Sequence, residues 1–570
     1  MSDKRWLLVF DNAVRWDDIS KYLPSLLSRT RGSVLITTQN EGLLPHASNN
    51  TRIQIDPFTT QQGSDMLLRY LGRDARTDPE RPLAKDISAF VGGLPVAIAH
   101  VAGYVGFSDI TLEELIETFR EWRKRTGAAT DEADDLPATF REASFSYEGT
   151  LAMVWEVTLR ELTQDARDVL NILAYLNCSS VPLTMLWGMH EDPILDFLDI
   201  RERIRYTVPL PRCQDSVWLI RLFRMRRIRK SLTQRRLVDE SEGNISMHRS
   251  LQRGIRERLS QDKGQQQTVF EQAVALVREV FPRPNNLQQP TPDKWSECQK
   301  LLPHLHALHD VYHASNQNIT GSLEFAQLLL DAGMDQFEQG IIHEGLLLLD
   351  TAEKVLDAST EPSSSEEHQV MQANIHAMIA IMYDDVGISK REEGWKRREA
   401  ALRIRQRTFE MSNRQSRKDE MLVANSWMEY AISLLHYHRY TDAEPIINKC
   451  LAKFQEWGSE DEIPFEYAKY YNKIALVRMY QGRFEIAIEC AWKGMQLMSS
   501  TGYSMFMSRF KFDMACIILQ SGDLDRALNI YEEIHRQRIE TVGPANPLSL
   551  HSMYAIGAIH ELKEDYLEAA

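Results

Sequence analysis

Apolar residues along this chain follow two periods. Up to residue 125, short continuous apolar runs alternate with stretches of helical spacing; beyond residue 294 no strand pattern recurs. Arg5–Phe10 reads as a strand covered on both faces, Trp16–Ser28 as a helix, and Ser33–Thr38 as a second, β-branched strand. Arg52–Ile55 reads as a third short strand. Helices are expected at Thr60–Leu71 (N-cap Thr59 or Thr60), near Leu83–Val91 and Pro95–Val105, both amphipathic, and at Thr111–Lys124. That order implies a parallel sheet. Thr126–Thr150, rich in Gly, Ala, Asp and Glu, reads as a linker.

The middle of the chain is mixed. Leu159–Leu176 is strongly amphipathic, with Thr163 as N-cap of its second half. Shorter elements are expected at Val181–Trp187 and Arg201–Tyr206, and a helix at Arg221–Leu237. Leu237–Met247 reads as a hairpin turning at Glu242-Gly243-Asn244. Helices followed by such a hairpin suggest a small winged-helix domain ending near Ser260. Pro282–Lys294 is the next linker.

The remainder is repetitive. Helix pairs align on a small residue at the start of each second helix: Gly345, Gly394, Ala443, Ala487, Ala527 and Ala569, at intervals of 49, 49, 44, 40 and 42 residues. Another small residue precedes most of them by one fixed step: Gly333, Ala431, Ala475, Ala515, Gly557. Small against small lets two antiparallel helices approach closely, and stacking then buries the remaining apolar face. The tract Leu323–Ala570 resembles tetratricopeptide repeats of the longer-period kind found in kinesin light chains and many fungal proteins. Its last copy breaks off at Ala569-Ala570, which suggests a C-terminal truncation.

Composition narrows the function classes. Hydrophobic residues at 43% and charged residues at 26% suit a soluble globular protein, and 570 residues suffice for three to four domains. A net charge of −15 provides no global attraction for nucleic acid or an acidic membrane. Six scattered cysteines without a C-x-x-C pair, and no apolar stretch of signal-peptide or membrane-span length, point to a cytoplasmic protein with reduced thiols.

Candidate chemistry concentrates in the first 260 residues. Asp11 ends an apolar strand, which places a carboxylate at the ligand-binding edge of a parallel sheet, where magnesium could be held. Gly92-Gly93-Leu94-Pro95 is a loop with proline entering a helix, and Met247-His248-Arg249 ends the hairpin. Taken in order, Leu7–Asp11, Gly32–Thr38 (GSVLITT), Gly93-Leu94-Pro95 and Ile245–Leu251 (ISMHRSL) resemble four motifs of the NB-ARC family of signal-transduction (STAND) ATPases. They correspond to the Walker B strand, the first sensor strand, the G-L-P motif against adenine, and the motif whose histidine faces the β-phosphate of ADP. Fungal proteins joining this domain to tetratricopeptide repeats are the nearest match in kind.

The resemblance implies an ADP/ATP site with Mg at Asp11, Thr37, Thr38, Gly93, Pro95 and His248, and no separate catalytic set. It divides the chain into a partial NB-ARC domain over 1–125, a linker over 126–150, a winged-helix-like domain over 151–262, a helical linker over 263–322 and repeats over 323–570. The expected fold class is thus an α/β parallel-sheet nucleotide-binding remnant plus a winged helix, followed by an all-α solenoid. In the family, ADP keeps the switch closed and ATP opens it for oligomerisation. Departures weaken the site: Asn12, Gln39 and Arg249 replace family residues, and no glycine in the chain is followed by lysine. The phosphate-gripping loop G-x-x-x-x-G-K-[ST] is therefore absent, and this chain is expected neither to hydrolyse ATP nor to bind it tightly.

Two other clusters carry weaker signals. His304, His306, His309 and His313 fall on one short amphipathic segment and His309/His313 have metal-ligand i,i+4 spacing, but zinc would want cysteine or carboxylate partners and Asp310 is expected on another face, so helix-surface histidines are the simpler reading. Arg221–Arg236 is basic without an acid, yet Leu222, Phe223, Met225, Ile228 and Leu232 give it an ordinary core face. The expected function is that of a regulatory protein whose solenoid binds a protein or peptide, with homo-oligomerisation if the full-length switch is intact, and with neither membrane nor nucleic acid as partner. The alternative is a pure scaffold whose ATPase remnant is structural.

Overall fold

The computed structural model describes residues 6–11, 13, 15–20, 22–23, 32–38, 40, 42–43, 53–125, 155, 158–187, 226–284, 292–315, 317–359, 365–411, 416–501 and 503–564. The expected linker over 126–150 and the element at Arg201–Tyr206 lie outside these residues. Two compact units emerge, Met1–Thr59 and Thr60–Ala570.

The first unit is built on β1 (Trp6–Phe10) and β2 (Gly32–Ile36), paired in parallel from Trp6 with Gly32 to Phe10 with Ile36, with the short helix α1 (Trp16–Ser20) between them. Both strands were expected, but cover on both faces is not found: Leu7 is 63% exposed and Leu35 51%. Among the described residues the third strand is not formed: residues 53–55 join no ladder, and Ile55 stands 90% exposed.

The second unit opens with α2 (Thr60–Tyr70), α3 (Arg81–Phe90), α4 (Pro95–Ser108) and α5 (Leu112–Arg125). Helix α4 is not amphipathic as its spacing suggested; it is apolar on every side, and neighbours cover it all round between Ala97 and Val105. On one flank Gly63 of α2 meets Ile98, and on the other Gly103 lies against the backbone of Arg235. A Cβ at Gly103 would come within 2.7 Å of that carbonyl carbon, so glycine is required by proximity.

Next come α6 (Gln164–Leu173), whose N-cap Thr163 accepts from the Ala166 amide, the short β3 (Val181–Pro182) and α7 (Leu183–Trp187). A helix over 226–234 leads into β4 (Asp239–Ser241) and β5 (Asn244–Ser246). The hairpin forms as the sequence suggested, with Glu242 and Gly243 both at positive φ in its two-residue turn. β5 sits centrally, antiparallel to both β3 and β4. Then α8 (Arg249–Ser260), α9 (Lys263–Val280) and α10 (Trp295–Ala314) carry the core forward. A buried ion pair, Arg278 to Asp331 at 2.6 Å, and a bond from Trp295 Nε1 to Glu338 dock α9 and α10 onto the repeats.

The repeats are antiparallel helix pairs: α11 (Leu323–Glu338) with α12 (Ile342–Asp357), α13 (Glu366–Val386) with α14 (Arg391–Met411), and α15 (Arg417–His436) with α16 (Tyr440–Trp457). They continue as α17 (Pro464–Tyr480) with α18 (Phe484–Ser500) and α19 (Ser504–Gln520) with α20 (Leu524–Val542), ending on α21 (Pro547–Leu562). The predicted small residues form the seams: Ala431, Ala443, Ala475, Ala487, Ala515 and Ala527 are all fully buried. In the first pair a Cβ on Gly345 would stand 3.3 Å from the carbonyl oxygen of Gly333. Ala569 lies outside the described residues. First helices pack on the next first helix along the stack, which makes them the inner row, while second helices lie outside it.

Candidate functional site

In the first unit, Asp11 follows β1 directly, at the carboxyl end of the strand pair. The Thr37 hydroxyl donates to Asp11 Oδ1 at 2.7 Å, and the Thr38 hydroxyl donates to the Ala13 carbonyl at 2.7 Å. Backbone bonds from Thr37 N to Phe10 O and from Ala13 N to Thr37 O extend the ladder past both strands. Three of the predicted residues therefore stand together where ligands of parallel sheets bind. Asp11 is exposed rather than sealed in a core.

In the second unit, Gly92 and Gly93 both adopt positive φ (62° and 66°) and their amides close the end of α3 onto Ala89 O and Ser88 O. Leu94 is extended and Pro95 begins α4. This helix–corner–helix explains the glycines and the proline without a ligand.

His248 caps α8: its Nδ1 accepts from the Ser250 amide at 3.2 Å. Burial first, then the Arg249 charge, lower its basicity. It lies near the buried His100 on α4, whose imidazole burial, and next the His248 charge, hold down to about 3. His100 also meets the Trp155 ring edge-on at 5.9 Å. His100, on the helix that begins at Pro95, is thus within electrostatic reach of His248 at the end of the hairpin. Gly93, Pro95 and His248 belong to one unit, and Asp11, Thr37 and Thr38 to the other.

Sequence reasoning missed His100, which carries no motif, and a cavity of about 290 Å³ lined by Leu159, Arg160, Arg167, Arg258 and Gln265. Among the described residues no three His, Cys, Asp or Glu side chains converge on a metal position. The described cysteines are free thiols, and burial raises Cys298 and Cys450 far above the usual thiol range, which makes them inert packing groups. No single helix among the described residues is long and apolar enough to cross a membrane.

No family model and no curated protein matches the chain. Among solved structures, it is similar to a signal transduction ATPase with numerous domains (STAND) carrying a tetratricopeptide-repeat sensor, from Pyrococcus horikoshii. The identity is 11%, over 99% of this chain and 79% of that one, with a TM-score of 0.34. It is also similar to aspartyl phosphate phosphatase F from Bacillus subtilis, at 12% identity over 72% of this chain and 92% of that one, with a TM-score of 0.35. At such low TM-scores neither likeness carries functional weight.

Proposed function

We propose that this chain is a regulatory interaction protein, in which a helical-repeat solenoid recruits a protein or peptide and the preceding residues are the remnant of a STAND-type nucleotide switch. The observation that carries the interaction half is the polar ladder on the inner helices. Lys469 on α17 bonds Asn425 on α15 at 2.8 Å, and Lys473 on α17 faces Asp513 on α19 at 3.7 Å. Such a row offers alternating donors and acceptors to an extended chain or a helix laid across it. Lys469→Glu with Lys473→Glu should abolish binding of a purified partner found by proximity labelling, while Arg403→Glu on the outer helix α14 leaves it intact. Unchanged binding in the double variant removes the solenoid's inner row from the reading.

The switch half rests on the four ordered motifs, with the Thr37–Asp11 bond at the carboxyl edge and the reach of His248 to His100 on the Pro95 helix as support. Asp11, Thr37 and Thr38 would be the first unit's contribution to holding ADP or ATP with Mg, while the motif positions Gly93, Pro95 and His248 belong to the second unit. Without a Gly-Lys phosphate grip, most of the compensating charge for the β- and γ-phosphates is lacking. Calorimetric titration with Mg-ATP should give no micromolar isotherm and no turnover. A 1:1 micromolar isotherm would refute that loss. The runner-up, a scaffold with a purely structural remnant, is favoured if Mg-ADP also fails to bind.

A further inference from the structure

The junction between α10 and the first repeat gathers three donor atoms that neither the nucleotide site nor the solenoid reading uses. His309 Nε2 and His313 Nε2, one helical turn apart on α10, lie 3.2 Å from each other. Each also lies 2.9 Å from the hydroxyl oxygen of Thr351 on α12. The three atoms form a triangle with all its edges near 3 Å. Ligands about 2.1 Å from one zinc-sized ion stand roughly 3.0 Å apart at octahedral angles and about 3.4 Å apart at tetrahedral ones.

The Thr351 hydroxyl has a single proton, and the Leu347 carbonyl at 3.1 Å competes for it. With both imidazoles in the Nε2–H form that hydroxyl can accept from each, whereas in the Nδ1–H form the two Nε2 lone pairs converge on one point and suit an ion. Behind the triangle, Asp310 Oδ1 stands 3.7 Å from His309 Nδ1, on the side away from Nε2, so it does not join the three donor atoms, as expected. A carboxylate at the far nitrogen is the usual second partner of a metal-bound histidine, because it holds the ring with Nε2 unprotonated toward the ion. His309 is mostly buried and positioned, while His313 is exposed and leaves the open side reachable from water. Lys354, whose charge reaches His313, is tied to Asp350 at 2.6 Å.

We propose that His309 and His313 bind a divalent transition cation of the zinc, nickel or copper class, with Thr351 and water completing its coordination. A bound ion would join α10 to α12 and so fasten the start of the solenoid to the domain before it. Imidazole nitrogens favour these borderline cations over magnesium or calcium, which want oxygen.

The test is calorimetric titration of the tag-free full chain with zinc chloride near pH 7.5. One zinc per chain is expected, with an affinity that falls at least about tenfold in His313→Ala and in His309→Ala. His343→Ala, which removes a nearby exposed histidine, should change nothing. Because His309→Ala could perturb packing, the exposed His313→Ala variant is decisive, with circular dichroism to confirm its fold. Absence of saturable binding overturns the proposal, as does unchanged affinity in His313→Ala. Strong thiolate-to-cobalt absorption after loading with cobalt would also overturn it, by placing the ion on a cysteine.

Discussion

Arg509 on α19 reaches back across 124 residues to Asp385 at the end of α13, with 2.5 Å between Nη2 and Oδ2. The same guanidinium lies 4.3 Å over the Phe337 ring of α11, and Phe337 meets Phe506 edge-on at 6.0 Å. Farther along, Asn546 Nδ2 donates to the Gly340 carbonyl, 206 residues upstream. The repeats therefore turn far enough for the last helices to touch the first, and a buried charge pair closes the turn.

Breaking this closure should open the superhelix. Both side chains are largely buried, so Asp385→Ala leaves a guanidinium without its carboxylate, at a cost of about 2–4 kcal/mol. Arg509→Met keeps the packing on Phe337 and should cost less. Small-angle scattering should report a larger radius of gyration for Asp385→Ala, and urea unfolding the lost stability. An unchanged radius would show that the aromatic contacts and the Asn546–Gly340 bond hold the turn without the charge pair.

Two glycines on one helix should respond oppositely. Gly103→Ala drives a methyl into the Arg235 backbone, which has no rotamer to yield, and should destabilise by about 1–3 kcal/mol. Gly106 faces open space three residues on, so Gly106→Ala should be neutral or stabilising by up to about 1 kcal/mol through helix propensity. Paired thermal unfolding scans check this. Equal effects would mean that α4 does not press against the 226–236 segment.

How much of this could be read from the sequence varies by element. The repeat seams were legible because close helix approach admits only small side chains, and Gly333, Gly345 and the alanine series recur at helical spacing. The hairpin was legible in Glu242-Gly243, a pair that tolerates positive φ. The strand-end trio Asp11, Thr37 and Thr38 could be placed because parallel strands bring their carboxyl ends together. The Arg509–Asp385 closure was invisible, since neither residue is unusual locally and only the accumulated rotation of the pairs brings them together. The all-round burial of α4 was hidden too: a helical apolar pattern cannot say how many neighbours will cover it. The His309–Thr351 contact depends on how α10 docks, which spacing along one helix does not encode.

Acid should weaken the molecule through His304, which is fully buried on α10 and accepts at Nδ1 from the Asn177 amide at 3.2 Å. Burial depresses this imidazole to about 4, against 6.5 for an ordinary histidine. Between those values the unfolded chain binds the proton and the folded chain does not, so stability falls as pH drops from 6.5 toward 4 and levels off below. The loss is on the order of 1–3 kcal/mol for this group. Urea midpoints at pH 7 and pH 5 should differ less in His304→Gln than in the parent chain. An identical pH dependence would show that His304 does not carry the effect.

Arg398 offers a sharper test of the polar interior between repeats. It is 2% exposed on α14, bonded to Asp384 of α13 and lying 3.4 Å from both Glu429 and Ser433 of α15. Burial opposes its charge, but the Asp384 and Glu429 carboxylates more than offset this and raise its pKa. Three helices from two repeats thus share one cation. Arg398→Met preserves much of the volume yet leaves two carboxylates facing each other, and should cost about 3–5 kcal/mol. Adding Asp384→Asn and Glu429→Gln to Arg398→Met removes that repulsion and should recover a large part of the loss. Strong non-additivity in this cycle, read by urea unfolding, would locate the energy in the charge cluster. Simple additivity would place it in packing instead, since a lost contact with apolar neighbours is not restored by neutralising the acids.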